Sequence, residues 1–168
     1  MKIRTVVLVI GALFGAMTGT SLACTCGEQD QKVLFEKADW VFLAEITSTR
    51  LIKNATADQP GTTLSGAESS TRGPESADVV EASFTVIEYF KKGSTPIDAV
   101  RDLPLGFGNC SIGLMSGMEY IFFVRKGQGA LKNYVGMCTG SRPVNVGYDG
   151  FPEVLQGLRE FGAAASQK

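Results

Sequence analysis

The stretch Trp40-Val41-Phe42-Leu43-Ala44-Glu45-Ile46 is rich in β-branched and aromatic residues, the composition of a β-strand. Upstream, Asp30 is placed to cap a short helix over Lys32–Ala38. Downstream, residues 53–78 turn to Asn, Thr, Ser, Gly, Pro, Ala and isolated charges, with Leu64 the only large apolar residue, and read as a long surface loop. Apolar alternation resumes at Val80, Ala82, Phe84 and Val86 in a strand ending at Phe90, closed by Lys91-Lys92-Gly93. A short strand is expected over Ala99–Leu103. Gly117-Met118 opens another, Glu119–Arg125, which a turn at Lys126-Gly127-Gln128-Gly129 leads into Leu131–Cys138 as a hairpin. Pro152 starts a helix whose Val154, Leu155, Leu158 and Phe161 follow helical spacing. About five strands with a helix at each end predict a mainly β fold. The form that fits is a five-stranded, closed or partly closed Greek-key barrel of the oligonucleotide/oligosaccharide-binding (OB) type.

Composition limits the chemistry. The 168 residues are the length of one domain, and 44% apolar against 20% charged residues is enough for a core. A formal net charge of −1 argues against a basic nucleic-acid binder. The chain contains no histidine, which excludes Ser-His-Asp and Cys-His mechanisms and removes the commonest metal ligand. An enzyme is therefore not expected, nor a cofactor of its own.

Residues 1–23 read as a signal peptide. Lys2 and Arg4 supply a positive start, Thr5–Met17 an apolar run, and Ser21-Leu22-Ala23 a small-x-small cleavage pattern. Cleavage after Ala23 makes Cys24 the first residue of a single domain, 24–168, with 14 basic against 17 acidic side chains. The expected location is secreted, extracellular or periplasmic. The alternative is an outer-membrane lipoprotein acylated on Cys24, although Ser21 stands where a lipobox has an aliphatic residue.

Export makes disulfides the first reading of Cys24, Cys26, Cys110 and Cys138, ahead of a four-thiolate zinc site or a redox pair. Cys24 and Cys26 are too close to bridge each other without strain. Two connectivities remain: 24–110 with 26–138, or 24–138 with 26–110. Either pins the first and third residues of the processed chain, an end that otherwise frays.

A processed chain opening on Cys24-Thr25-Cys26 resembles the tissue inhibitors of metalloproteinases. The likeness continues through Leu34-Phe35-Glu36-Lys37-Ala38-Asp39-Trp40-Val41-Phe42-Leu43-Ala44, similar to that family's first helix and first strand. It runs on through Phe84–Gly93, Cys110, Gly117–Phe123, Gly129-Ala130-Leu131 and Cys138-Thr139, in the family's order and spacing. It covers the inhibitory N-terminal domain, a netrin-like module. Glu36 stands where the family has its third cysteine.

The resemblance implies the pairing Cys24–Cys110 with Cys26–Cys138, and a mechanism. The free α-amino nitrogen and carbonyl oxygen of Cys24 chelate the zinc of a partner metalloprotease, displacing the water that the metal activates. Thr25 enters the pocket beyond the scissile bond, and Cys26 and Gly27 continue along the cleft. Asn109 and Cys110 contribute a second contact segment, preceded by Gly106-Phe107-Gly108, in which Phe107 is the natural apolar anchor. The expected function is thus a secreted, monomeric inhibitor of zinc metalloendopeptidases, with no nucleic acid as partner and no membrane unless Cys24 is lipidated. The alternative is an exported, disulfide-stapled netrin-like binding module without inhibitory activity, for which the 53–78 loop could serve as a recognition element.

Overall fold

The structure, a computed structural model, describes residues 26–27, 30–56, 76–106, 110–127, 129–144 and 150–165. Helix α1 (Gln31–Lys37) comes first, followed by β1 (Trp40–Thr56), β2 (Ser76–Lys91), β3 (Ala99–Asp102) and β4 (Glu119–Val124). Two 3-10 turns, η1 (Gly129–Leu131) and η2 (Met137–Thr139), precede β5 (Arg142–Pro143) and helix α2 (Phe151–Ala165). The five strands form one antiparallel sheet in the order β3-β2-β1-β4-β5. The mainly β class and the two flanking helices are those expected from the sequence.

The apolar density of β1 follows from its place at the centre of this sheet, where both faces are covered. Trp40, Phe42, Ala44 and Ile46 alternate onto one face with Ala82, Val100, Leu114, Tyr120, Phe122, Val124 and Val135. Phe42, Phe84 and Phe122 meet there with ring centroids 4.9 to 6.2 Å apart, each pair tilted. The intervening residues Val41 and Leu43 turn to the other face with Phe90, Ile121 and Phe123. The helices cover that second face. Phe35 of α1 and Leu158 of α2 are buried in it, and the Phe35 and Phe161 rings lie 5.6 Å apart.

Helix α1 is too short to persist alone and is held at both ends. Asp30 caps it, its Oδ1 accepting from Lys32 N at 2.7 Å and Val33 N at 3.2 Å. At the other end the Lys91 ammonium donates to the carbonyls of Phe35 (3.0 Å), Glu36 (3.0 Å) and Ala38 (2.6 Å). These are carbonyls that a helix terminus leaves without intrahelical partners. Helix α2 is fixed to β2 by a bidentate Arg159–Glu88 pair, both contacts 2.8 Å.

Two expectations are corrected. Residues 53–56 and 76–78, assigned to the loop 53–78, are strand: β1 runs to Thr56 and β2 begins at Ser76, paired through Ile52↔Val79, Ala55↔Ala77 and Thr56↔Ser76. Backbone pairing tolerates polar residues, and Ala55 and Val79 pack on Ala130 in a small third cluster. Residues 57–75 lie outside the described set.

The second correction concerns Leu131–Cys138, which is not the second arm of a hairpin. Asn133 adopts φ 52°, a left-handed conformation that interrupts an extended run, and its side-chain amide donates to the Ala99 carbonyl at 3.1 Å. What survives of the expected strand is Tyr134, bridged in parallel to Arg101 of β3 and antiparallel to Arg125 just past β4. Arg101 N donates to Asn133 O at 3.2 Å, and Val135 N to Arg101 O at 2.9 Å. Residues 133–135 thus join the edge strand β3 back to the end of β4, completing a hydrogen-bonded circuit through β3, β2, β1 and β4. The true fifth strand, Arg142–Pro143, was not expected; it pairs with Tyr120 and Ile121 at the other end of β4, an edge where a proline is tolerated.

Candidate functional site

Three of the four cysteines meet at one place. Cys26 is bridged to Cys138, with Sγ atoms 2.00 Å and Cα atoms 5.1 Å apart across a sequence separation of 112. The Sγ of Cys110 lies 3.6 Å from that of Cys138, and the three sulfurs all fall within 4.8 Å of one another. Cys26 and Cys138 are spent on each other as a disulfide and Cys110 is itself disulfide-bonded, so these sulfurs are not thiolates for a metal. The bridge is the one present in the first of the two connectivities. The other half of that connectivity, Cys24–Cys110, falls on Cys24, outside the described residues.

Each partner of the cluster is fixed from below. Cys138 sits in η2, which ends on Gly140 at φ 92°, a left-handed position suited to glycine. The next hydroxyls anchor that turn to β4: Ser141 Oγ accepts from Phe123 N at 2.9 Å and lies 2.9 Å from Thr139 Oγ1, which donates to Gly136 O at 2.8 Å. Met137 N donates to the Cys110 carbonyl at 2.7 Å, joining the Cys110 segment to η2.

Cys110 is held from its other side by a residue that the sequence reading passed over. Asp102, at the end of β3, is 0% exposed. Its Oδ1 accepts from Leu103 N at 2.8 Å, while Oδ2 accepts from Ser111 Oγ and Ile112 N, both at 2.8 Å. Ser111 Oγ in turn accepts from Gly113 N at 3.1 Å. Burial pushes the Asp102 carboxyl up to about 6, against the opposite pull of the hydrogen bonds from Ser111, Ile112 and Leu103. The phenols of Tyr120 and Tyr134 are raised, first by burial and then by the charge of Asp102. Asp102 was legible in one respect: two residues after Val100 on an alternating strand, it is a charged residue at an inward position.

Of the expected site residues, the structure brings Cys26 and Cys110 together. Both are half-buried, and Gly27 next to Cys26 is exposed, with nothing within 4 Å of where a side chain would start. Glu36 is exposed on α1. Cys24, Thr25, Phe107 and Asn109 lie outside the described residues. Among the described residues, no helix is long and apolar enough to cross a membrane.

No protein-family model matches the chain, and no curated protein matches it in sequence.

Proposed function

We propose that this chain is an exported inhibitor of zinc metalloendopeptidases that acts through the α-amino and carbonyl groups of Cys24 once residues 1–23 are removed. The observation that carries this reading is the Cys26–Cys138 bridge beside Cys110, which ties the chain two residues beyond the proposed chelator to the body of the domain. A segment held in this way loses little conformational freedom on docking, and it cannot be drawn through a protease cleft as a substrate would be. Gly27 supports the reading as well: it is exposed, and with open space where a side chain would start, a partner's edge strand can approach its backbone from that side. The circuit of strands closed at Tyr134 supports the finer description of the sheet as an OB-type barrel.

The chemistry asks little of the chain. Five-membered chelation needs only a neutral amine and a carbonyl oxygen, which together displace the metal-bound water and leave hydrolysis without its nucleophile. An α-amino group with an ordinary pKa near 7.7 gains a proton as pH falls through about that value, so binding weakens progressively on acidification from there. The lack of histidine is no obstacle, because the metal belongs to the partner.

The test compares three forms of the chain against a panel of zinc endopeptidases: one beginning at Cys24, one with an alanine added ahead of it, and one acetylated on the amine. Inhibition by the free form alone is the expected result. Equal potency of all three overturns chelation, and no inhibition by any of them favours a netrin-like binding module. Recovery of the exported protein with an acylated Cys24 amine also rules chelation out and makes the chain a lipid-anchored protein.

A further inference from the structure

We propose that the sulfur cluster is a disulfide relay: when a dithiol reductant opens either bridge, Cys110 and Cys138 join each other, and Cys24 and Cys26 are released together as thiols. The consequence for inhibition, loss of the anchored N-terminal end in one two-electron reduction, rests on the functional reading above. The exchange itself rests on the arrangement of the sulfurs.

Cys26 is bonded to Cys138, and Cys110 is disulfide-bonded as well. Of the four cysteines in the chain, only Cys24 is left as the partner of Cys110. Cys110 Sγ stands 3.6 Å from Cys138 Sγ, so an approach of about 1.6 Å brings the pair to the length of a disulfide. Their backbones are already joined, because Met137 N, one residue before Cys138, donates to the Cys110 carbonyl at 2.7 Å. Both residues also belong to the body of the domain. Cys110 continues into Ser111 and Ile112, which are anchored on Asp102, and Cys138 lies in η2, tied to β4 through Ser141. Cys26 has no such support. Among the described residues, its bridge to Cys138 is the one bond that ties it to the domain.

The atoms and electrons balance in two steps. A dithiol gives two electrons and two protons to the Cys24–Cys110 bridge, becomes a disulfide itself and leaves two thiols. The Cys110 thiolate then attacks Cys138 Sγ. A Cys110–Cys138 bond forms, the Cys138–Cys26 bond breaks, and the electron pair leaves on Cys26, which takes up the proton that Cys110 gave up. This second step consumes no reductant. The attacking sulfur must stand in line with the breaking bond, a position that the Cys110 side chain reaches by turning about Cα–Cβ once it is free of Cys24. Opening Cys26–Cys138 first leads to the same product, since Cys138 then attacks Cys110 and Cys24 leaves.

Entropy sets the direction. Each original bridge holds the end of the processed chain, which frays when it is let go. The new bridge joins two residues that the fold already keeps together, so forming it costs little further ordering. The product gains the freedom of the N-terminal segment and keeps the domain cross-linked between residues 110 and 138.

The test is partial reduction of the exported chain, beginning at Cys24, in native buffer with a limiting amount of dithiothreitol. Thiols are trapped with N-ethylmaleimide at acid pH and located by peptide mapping. Two-thiol molecules are expected to carry label on Cys24 and Cys26, with the Cys110 and Cys138 peptides linked to each other. Label on Cys24 with Cys110, or on Cys26 with Cys138, overturns the relay, as does passage straight to four thiols. Cys24→Ser supplies a second arm, because it leaves an odd sulfur in the cluster without any reductant. Its single thiol should map to Cys26. A thiol confined to Cys110 in native buffer, or one that shifts to Cys26 only in urea, overturns the relay. No protease enters these measurements, so a chain that inhibits nothing can still show the relay, and an inhibitor can still lack it.

Discussion

Lys91 shows how much a single side chain can organise. Three carbonyls at the end of α1 converge on its ammonium, which also lies 5.5 Å from the centroid of the Phe35 ring. The charge sits on β2 and its partners on α1, so the contact fixes a helix to a strand more than 50 residues away in sequence. Lys91→Met keeps most of the stem's packing but leaves the carbonyls without this donor. A loss of about 2 kcal/mol is expected, typical of hydrogen bonds to a charged group, and urea unfolding of the variant measures it. Asp102 is a contrasting case, a buried carboxyl that ties residue 103 to residues 111 and 112 through neutral donors rather than through a charged partner.

At the scale of elements, Glu81 ties three strands together. On β2, it receives Arg50 of β1 at one carboxylate oxygen and Arg101 of β3 at the other. Burial alone would raise its pKa, but the hydrogen bonds and charges of Arg101 and Arg50 outweigh that and hold the carboxyl below its usual range. A depressed pKa contributes stability above the ordinary value of 4.5 that disappears as pH falls through the lower folded value. Glu81→Gln should be less stable than the parent at pH 7, and the gap should narrow steadily on acidification below about 4.5. Denaturant midpoints across pH 2–7 decide this; a constant gap would show the pair to be energetically silent.

On the scale of the whole molecule, the Cys26–Cys138 bridge closes a loop of more than a hundred residues. Such a closure contributes about 4 to 5 kcal/mol in the chain-entropy description. The paired substitution Cys26→Ser with Cys138→Ser should remove most of that in urea unfolding under oxidising conditions. It should also release the chain near Cys26 without disturbing β1, whose pairing to β2 and β4 is independent of the bridge. If inhibition operates as proposed, the same variant loses potency by more than its loss of folded fraction explains, because the ordering entropy returns to the binding step.

The sequence by itself determined the central strands and both helices. The β-branched and aromatic run from Trp40 to Ile46, the alternation at Val80, Ala82, Phe84 and Val86, the Asp30 cap, and the Val154-Leu155-Leu158-Phe161 spacing are local patterns that encode secondary structure directly. It also narrowed the cysteines to two pairings, since Cys24 and Cys26 stand too close to bridge each other. Only the tertiary structure decided how far β1 and β2 run beyond their apolar cores, because backbone pairing at Ala55 and Thr56 leaves little mark on side-chain composition. Only there does Leu131–Cys138 prove to be turns around one bridging tyrosine, because the left-handed Asn133 is chosen by its bond to Ala99 across the fold. The same holds for Asp102. Its inward position could be read from Val100, but the donors that satisfy its carboxyl come from residues 111 and 112, and they meet it only once β3 and the Cys110 segment have folded together.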